Sequence, residues 1–532
     1  MKSALHEAIT RAAAEEGLGD VAVELVRSAR PEHGDWSSNV ALVSARATGR
    51  DPRSVAEVLA NRLAGADVRH LARVEVAGPG FVNFYLEPGW LADALRDVVA
   101  AGTSGYARPG LMTGVRVNVE FVSANPTGPL HAGGGRWAAY GDSLCRVFER
   151  CGASAHREYY LNDRGTQMGL FAASLTARRD GQDPPEGGYL GEYVSAWAAE
   201  MPDDVDPLQW GYERVLRDVR ETLTAMHVDY DTWFSERSLI EGGAVEATLG
   251  DLRSRGAAYD ADGAVWFRST AYGDDKDRVL VRSDGEPTYL LPDIAYHRDK
   301  FGRGFDLLVD VWGADHHGYV ARLKAAVAAL GHDPAALEVV LGQLVSLERA
   351  GQPVRLSKRS GDIVELRDVL DAVGPDVARF AFLLQSIDSR QRIDIDLLTR
   401  ESAENPVFYV QYAHARIAAL SREAAARGIR RLPVDSVDLS LLRHDREAAV
   451  IRSLEDLPDV IEDACRSRAP HKLTTWVRDL AACFHGFYHD CPVLRSDLEP
   501  TVMQARLWLV EGTRIGLGIG LDLLGVSAPH AM

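Results

Sequence analysis

A short segment rich in glycine and proline holds the residues best suited to chemistry on a nucleotide. Residues 116–122 alternate in the manner of a strand, and the chain continues as SANPTGPLHAGGGR from Ser123 to Arg136 before a helical pattern begins. A strand that passes through such a turn into a helix directs backbone amides and the helix N-terminus at phosphates. The glycines allow close approach of a ligand, and His131 can donate to phosphoryl oxygens. The alternative is a tight turn with a structural histidine.

A second candidate segment lies about 220 residues further along the chain. Arg355–Gly361 reads RLSKRSG, with arginines on both sides of a serine and a lysine. Such a loop can neutralise a triphosphate whose pyrophosphate is leaving, and Lys358 is our candidate for that charge. A solvated basic loop is the alternative for this segment taken alone. Together, however, the two segments form the two-part signature of one class of enzyme.

Three stretches of different pattern must position these segments. Residues 1–108 combine helical periodicity with strand patterns around a Gly-Pro-Gly turn, which indicates a small α+β domain. Residues 109–395 alternate strands and helices, with insertions at about 160–285, and this α/β pattern predicts a parallel sheet. Residues 396–532 are predicted to be all-helical. Small residues at 100–105 predict a linker, and the polar, Gly/Pro/Asp-rich stretch near 180–207 predicts an insert.

The composition is that of an ordinary globular protein and excludes several classes. The chain has 532 residues, and 77 acidic against 59 basic residues give a net charge of −18. An acidic total argues against indiscriminate nucleic-acid binding, although it permits a local basic face. Five cysteines without a C-x-x-C pair predict neither a disulfide framework nor a zinc site. No targeting segment or membrane span is recognisable, so we expect a cytoplasmic protein without membrane contact.

The two candidate segments and several further motifs resemble one family. HAGG from His131 resembles the HIGH motif of class I aminoacyl-tRNA synthetases, and RLSKR from Arg355 resembles their KMSKS motif. The wider pattern is similar to the arginyl-tRNA synthetases, on the motifs EFVSANPTGPLH from Glu120, EYYLND from Glu158, VWGADHHGY from Val311 and NPVFYVQYAHAR from Asn405. The resemblance covers nearly the whole chain.

The resemblance implies both a fold and a reaction. The fold has an N-terminal domain that binds the tRNA elbow, a Rossmann-type catalytic domain with insertions, and a C-terminal helical domain that binds the anticodon. The reaction is that of an arginine–tRNA ligase, which makes arginyl-adenylate from L-arginine and ATP with Mg²⁺ and then charges tRNA(Arg). Many members need tRNA even for the first step. A monomer is implied as well.

The resemblance also implies which residues bind the small substrates. A guanidinium carries five donors and no acceptor, so its site requires carboxylates. Asp293 and Glu236 match the positions that hold it, with Tyr289 alongside. Asn125 and Ser123 would orient the α-amino and carboxylate end, and Glu120 would support the pocket. The catalytic residues would be His131, Lys358 and Arg359, and the ATP site would comprise His131, Gly133, Gly134, Asp315, His316, Ser357 and Lys358. No residue is assigned to a metal.

Two further groups of residues are candidates for tRNA contacts. Phe81 and Asn83 resemble the aromatic and amide pair that reads an exposed D-loop base, since stacking plus an amide recognises a splayed base. Tyr409, Tyr412 and Arg416 offer stacking and phosphate contacts in the helical domain. In both groups the alternative is ordinary packing, of Phe81 in a strand and of the tyrosines on a helix.

Two positions depart from the family's motifs. Gly134 replaces the second histidine of the HIGH motif, and Arg355 replaces the first lysine of KMSKS. The first change removes a phosphate donor, which could lower the rate about 10²–10³-fold unless Arg136, His316 or His317 substitutes. Two alternative functions therefore stay open: a paralogue that activates arginine or another guanidino acid, and a non-catalytic tRNA-binding protein.

Overall fold

A computed structural model describes all residues except 20, 29, 350, 351 and 354–363, so the predicted cationic loop lies outside the described residues. The chain folds into two compact units. The first consists of Met1–Tyr106, Glu423–Glu455 and Cys483–Ile515, and the second of Ala107–Arg422, Asp456–Ala482 and Gly516–Met532. The three predicted domains and their boundaries stay a prediction.

The N-terminal part of the first unit is a helix-covered antiparallel sheet. Its elements are α1 (Lys2–Glu15), β1 (Leu25–Arg27), β2 (Trp36–Ser38), α2 (Val40–Thr48), α3 (Pro52–Ala64), β3 (Leu71–Ala77), β4 (Phe81–Leu86) and α4 (Gly89–Gly105). The strand order is β1-β2-β4-β3. Alternate residues of β4 pack with the apolar faces of α1–α3, so Val82 and Phe84 are fully buried in this core. The predicted strand pair around the Gly-Pro-Gly turn is confirmed.

The predicted linker at residues 100–105 is wrong, because these residues continue α4. Alanine is the strongest helix former, so a run of small residues extends the helix instead of ending it. The helix kinks at Gly102, whose φ of 62° is a conformation that glycine adopts without steric penalty.

The second unit alternates strands and helices along most of its length. Its elements through residue 398 are β5 (Arg116–Glu120), α5 (Ala132–Arg150), β6 (Ser154–Leu161), α6 (Thr166–Arg179), α7 (Glu192–Glu200), α8 (Pro207–Ala225), β7 (Thr232–Ser235), α9 (Glu236–Glu241), α10 (Ala244–Ser254), β8 (Ala258–Ala261), β9 (Ala264–Phe267), β10 (Arg278–Val281), α11 (Leu290–Gly302), β11 (Leu307–Gly313), α12 (Val320–Ala329), β12 (Leu337–Gly342), β13 (Val345–Arg349), β14 (Gln352–Pro353), α13 (Leu366–Val373), α14 (Pro375–Phe382), β15 (Gln391–Asp394) and α15 (Ile395–Leu398). The polar stretch 180–207 contains α7.

The central sheet is parallel throughout, with the order β12-β11-β5-β6-β7. Residues 117–120 of β5 are buried on both faces, as expected for a central strand covered by helices on each side. From β5 the chain moves outward to β6 and β7, and later returns to place β11 on the other side of β5. This is a Rossmann-type sheet with its switch point between β5 and β11, which confirms the predicted fold class.

The remaining elements are four long helices: α16 (Pro406–Ala426), α17 (Asp445–Arg466), α18 (His471–Asp490) and α19 (Pro500–Leu523). No strand occurs in residues 396–532, all of which are described, so the helical prediction for this part is confirmed. Across the described part of the chain, no helix is both long and apolar enough to span a membrane.

Candidate active site at the switch point of the sheet

A cavity of about 370 Å³ opens at the carboxyl ends of β5 and β11. Ligands of open α/β sheets bind at such a switch point, because the loops that follow the two strands diverge there. Of the residues predicted from the sequence, the cavity brings together Glu120, Ser123, Tyr289, Asp293 and His316.

A buried lysine beneath the cavity balances two acidic strand residues. Glu120 of β5 and Asp310 of β11 face each other in the sheet register. Lys300 of α11 donates to Glu120 at 2.6 Å and to Asp310 at 2.9 Å, and His297 bonds Asp310 at 2.8 Å. Burial raises the pKa of Glu120, whereas at Asp310 Lys300 and His297 overcome burial and hold the pKa below its usual value. The network fixes Glu120 at the cavity floor.

Two further carboxylates near the cavity have no such cation. Asp293 lies in the first turn of α11 and accepts a hydrogen bond from the Tyr319 hydroxyl. Burial raises its pKa to about 6. Glu236 begins α9, lies near Tyr160 and Arg164, and lines an adjoining polar cavity of about 360 Å³. Burial, and then the charge of Asp293, raise the pKa of Glu236.

These two carboxylates have no cation in direct contact within the described part of the chain. Among the described residues neither Asp293 nor Glu236 forms an ion pair within 4.0 Å. Tyr289, which is 78% exposed, lines both cavities and so connects the two carboxylates. Two acidic groups in a partly buried site are stabilised by a planar cation that can bond to both, as a guanidinium does.

The turn after β5 holds an unusual backbone conformation. Val122 and Ser123 have φ angles of 71° and 41°, a region that a β-branched residue such as valine rarely adopts. Ser123 Oγ accepts from the Tyr160 backbone N–H at 3.1 Å, and Asn125 Nδ2 donates to Gln167 at 2.7 Å. Strain of this kind is concentrated at functional sites. It turns the chain sharply, so that Ser123 lines the first cavity and Asn125 the adjoining one.

His131 lies at the N-terminus of α5, as predicted for a residue that faces phosphates. Its Nδ1 accepts from the Gly134 N–H at 3.3 Å, so a neutral ring carries its proton on Nε2. The side chain is exposed and lines a third cavity, of about 600 Å³. The Ala132 N–H donates to the Val364 carbonyl at 2.9 Å. Val364, the first described residue after 354–363, therefore lies beside His131. The predicted residues Ser357, Lys358 and Arg359 fall outside the described residues.

Gly134 leaves room for a side chain. A Cβ at this position would lie 3.7 Å from the nearest atom of Leu130, which is ordinary van der Waals contact, so packing does not require glycine. Arg136, one of the residues predicted to replace the missing histidine, makes other contacts. It is fully buried and donates to the carbonyls of Gln343, Ser386 and Ser389 at 2.7–2.8 Å. Arg136 is therefore a structural residue, and the hypothesis that it replaces the missing histidine is wrong.

Asp315 and His316 lie in a short 3-10 turn, Ala314–Tyr319, directly after β11. Both side chains are exposed, at 83% and 60%, with His316 Nε2 3.6 Å from Asp315 Oδ2. Only His316 lines the cavity. Their position at the carboxyl end of a central strand is suited to ribose contacts, and their assignment to ATP stays a prediction.

The candidate tRNA residues of the first unit share one cavity. Phe81 is 41% exposed and Asn83 is buried, two residues apart on β4, and both line a cavity of about 330 Å³. Asn83 Oδ1 accepts from Ser37 Oγ at 2.8 Å, which orients the amide. A half-exposed ring beside a fixed amide is a suitable arrangement for a single base.

The candidate tRNA residues on α16 form a stacked row. Phe408 and Tyr412 stack at 6.1 Å, and the Arg416 guanidinium lies 4.5 Å from the Tyr412 ring and donates to its hydroxyl at 2.7 Å. Tyr412 is exposed and Tyr409 half-buried. These contacts hold the row together, and a role in tRNA binding stays a prediction.

Sequence reasoning missed several residues that shape the site. Lys300 and His297 are at helical spacing from Asp293, which places all three near one side of α11, and this i, i+4, i+7 pattern was available in the sequence. Tyr319 ends a motif that the sequence had singled out, but its hydrogen bond to Asp293 depends on tertiary packing.

Comparison with known proteins identifies the class of the fold and then the family. Residues 105–186 and 213–381 match the model of the class I tRNA synthetase (R) catalytic domain. Residues 1–86 match the arginyl-tRNA synthetase N-terminal domain, and residues 410–532 the DALR anticodon-binding domain. The second unit is therefore built around a class I aminoacyl-tRNA synthetase catalytic domain.

The full length of the chain is similar to curated relatives. The arginine–tRNA ligase of Frankia alni is 48% identical over 100% of this chain and 99% of its own length, and that of Kineococcus radiotolerans is 46% identical over 100% and 99%. The Thermus thermophilus arginyl-tRNA synthetase structure superposes over 100% of both chains with a TM-score of 0.78 at 22% identity, which shows the shared fold. The chain belongs to the arginyl-tRNA synthetase family.

Proposed function

We propose that this chain catalyses the ATP-dependent ligation of L-arginine to tRNA(Arg). The carboxylate of arginine attacks the α-phosphate of ATP, forming arginyl-adenylate and releasing pyrophosphate. A ribose hydroxyl of the tRNA 3′ adenosine then attacks the activated carbonyl, forming arginyl-tRNA and releasing AMP. The observation that carries this proposal is the pair of carboxylates, Asp293 and Glu236, which form no ion pair within 4.0 Å among the described residues and lie at a Rossmann switch point.

Each residue of the site then has a defined role. Asp293 and Glu236 bind the guanidinium, with Tyr289 against its face. Glu120, held by Lys300, receives the α-amino group, and Ser123 and Asn125 orient the amino-acid end. Because a carboxylate attacks most readily when its approach is fixed, this part of the site acts mainly by positioning.

The phosphates are assigned to the segments next to α5. His131 donates from Nε2 to the phosphates, where Gly133 and Gly134 let ATP approach the helix N-terminus. Asp315 and His316 contact the ribose. Ser357, Lys358 and Arg359 neutralise the leaving pyrophosphate. Mg²⁺ would accompany ATP as its counter-ion. We expect a cytoplasmic monomer.

Arginine-dependent ATP–pyrophosphate exchange tests the proposed reaction. The purified protein is assayed with and without total tRNA, with the other standard amino acids and canavanine as comparisons. We expect exchange with arginine that depends on added tRNA. Exchange with another guanidino acid in preference to arginine would favour the specialised paralogue. No exchange under any condition, with tRNA still bound in a gel shift, would refute the enzyme and favour a tRNA-binding protein.

The pH dependence of arginine binding is expected to follow Asp293. Its pKa of about 6 means that the carboxyl is ionised at pH 7.5 and becomes protonated as the pH falls through 6. The ionised form binds the guanidinium, so KM for arginine should rise as the pH falls below about 6, approaching tenfold per pH unit. The measurement is KM for arginine between pH 5 and 8, with KM for ATP as the control. A constant KM for arginine down to pH 5 would contradict the role of Asp293.

Removal of the Phe81 ring is expected to weaken tRNA binding selectively. Stacking of one base contributes about 1–3 kcal/mol, so Phe81→Ala should raise KM for tRNA about 5- to 150-fold with little change in kcat. Steady-state aminoacylation at saturating arginine and ATP measures both constants. Val26→Ala, an exposed apolar residue on β1 of the same sheet, is the matched control. An unchanged KM for Phe81→Ala would leave Phe81 with a packing role only.

A further inference from the structure

Asp293, one of the two guanidinium-site carboxylates, accepts a hydrogen bond from a tyrosine hydroxyl on a different element. Tyr319, the last residue of the turn after β11, donates to Oδ2 of Asp293 on α11. Tyr160 of β6 lies near Glu236 of α9 and interacts with it electrostatically. Both tyrosines line the cavity of about 370 Å³ at the switch point of the sheet, the main cavity of the candidate site. Asp293 is thus held by a neutral donor and forms no ion pair within 4.0 Å among the described residues, which leaves its negative charge available to a ligand.

The Tyr319 ring is fixed by its neighbours before any ligand binds. The Arg322 guanidinium lies 4.8 Å from the ring centroid, and the Trp312 ring is 6.0 Å away in an edge-on arrangement. Cation–π and edge-to-face contacts each stabilise one ring orientation. The hydroxyl therefore meets Asp293 from a constant direction and occupies Oδ2, while Oδ1 accepts from no described residue by any hydrogen bond in the structure.

A hydrogen bond to one oxygen has two effects on a carboxylate in a partly buried site. It stabilises the ionised form, because a donor favours the charged state, and it fixes the plane in which the second oxygen lies. With this bond Asp293 presents a charged acceptor to the ligand. Without it, burial would favour the protonated carboxyl, which presents an O–H donor to the ligand.

Resting on the proposed function, we infer that Tyr319 is a positioning residue that makes the site specific for a charged guanidinium: its hydroxyl holds Oδ2 of Asp293 so that Oδ1 receives the substrate's N–H groups. This role predicts that the site discriminates against citrulline, an uncharged isostere of arginine. The ureido oxygen of citrulline is an acceptor and meets the Asp293 carboxylate unfavourably. A protonated Asp293 could donate to that oxygen, so loss of the Tyr319 hydroxyl should weaken this discrimination.

Several titratable groups face Asp293 besides Tyr319, and they bear on any pH profile. They come from β5, β6, β11, α9 and α11 itself, and comprise Glu120, Tyr160, Asp310, Glu236 and His297. None of these is altered by a substitution at position 319. A shift in the profile between the wild type and a Tyr319 variant therefore reports the lost hydroxyl.

The test is Tyr319→Phe, which removes only the hydroxyl. Arginine-dependent exchange with tRNA should show KM for arginine raised about 10- to 100-fold, because the lost bond involves a charged group, with KM for ATP and kcat within about threefold. The rise of KM at acid pH should begin at a higher pH than in the wild type. The ratio of citrulline to arginine affinity, measured by calorimetry on the same proteins, should increase.

The matched control is Tyr259→Phe. Tyr259 of β8 donates to Asp277 at 2.9 Å, a bond of the same kind at a residue that lines none of the cavities described above. It should leave every constant unchanged. The inference would be overturned if Tyr319→Phe left KM for arginine and its pH profile unchanged. It would also be overturned if the substitution lowered kcat and thermal stability and raised KM for ATP to the same extent as KM for arginine. If the wild type itself showed no exchange, the proposed function would fail, and the calorimetric arginine affinities would still decide the role of Tyr319.

Discussion

Replacement of Asp293 by asparagine is expected to lower kcat/KM for arginine about 10²–10³-fold while KM for ATP stays within about threefold. The side chains are of equal size, so the change removes charge without opening a cavity. An asparagine presents either a neutral oxygen or an N–H₂ group to the guanidinium, and the second is a donor that faces donors. Because the site is partly buried, the guanidinium then loses a charged partner that water replaces poorly.

The matched control for this substitution is Asp277→Asn. Asp277 also accepts from a tyrosine hydroxyl but belongs to the segment around β8–β10 and lines none of the cavities described above. It should leave exchange activity unchanged. Arginine-dependent exchange with tRNA measures the kinetic constants, and calorimetry gives arginine affinity without turnover. An Asp293→Asn protein with normal affinity for arginine would contradict the assignment of this carboxylate and, with it, the substrate proposed here.

The broad architecture was predictable because its signals are local. Strand alternation and buried apolar runs indicated the parallel sheet, and helical periodicity indicated the final part of the chain. The error at residues 100–105 has a local cause too. Alanine and glycine together resemble a linker in composition, yet alanine supports a helix, and one glycine in a left-handed conformation only kinks it.

The candidate site was predictable where a motif encodes it and not where packing creates it. The turn from Glu120 to His131 is contiguous in sequence, so its role could be inferred directly. The opposition of Glu120 and Asp310, by contrast, arises from the pairing of β5 with β11, which are separated by nearly 190 residues. Lys300 is needed only because that pairing brings two carboxylates together, and a sequence without the register gives no reason to expect it.

Arg136 is a second residue whose position depends on tertiary packing and could not be predicted from the sequence. An arginine near the start of a helix that follows a glycine-rich turn is a natural candidate for a phosphate contact. Its side chain instead turns away into the interior, where it donates to three carbonyl groups. Composition alone favours an exposed arginine, so the buried position could be learned only from the fold.

A second large effect is expected at Arg379, which is fully buried in the second unit. Arg379→Met should lower the free energy of unfolding by about 3–5 kcal/mol, because it leaves several buried oxygens without their donor, although Asp142 keeps its ion pairs with Arg146 and Arg157. The guanidinium donates to Asp142 at 2.6 Å and to the carbonyls of Leu524, Met226 and His227 at 3.1 Å. Methionine fills much of the volume but satisfies none of these oxygens. Urea denaturation of the two proteins measures the difference.

The matched control for Arg379 is Arg422→Met. Arg422 is exposed and donates one hydrogen bond, to the His530 carbonyl at 2.9 Å, so its loss should cost no more than about 0.5 kcal/mol. The double variant Asp142→Leu with Arg379→Met should be less destabilised than the sum of the single changes, since the two side chains interact directly. Additive effects, or a cost at Arg379 equal to that at Arg422, would contradict the prediction.

The Asp142–Arg379 ion pair lies outside the candidate site, so its loss is expected to affect stability and not catalysis. Asp142 lies on α5, the helix that begins next to His131, while Arg379 lies on α14, and neither side chain lines the main cavity. At a temperature where Arg379→Met is still folded, KM for arginine and ATP should therefore match the wild type. Loss of activity should appear only with unfolding. An altered KM in the folded variant would instead mean that α14 helps to set the position of His131.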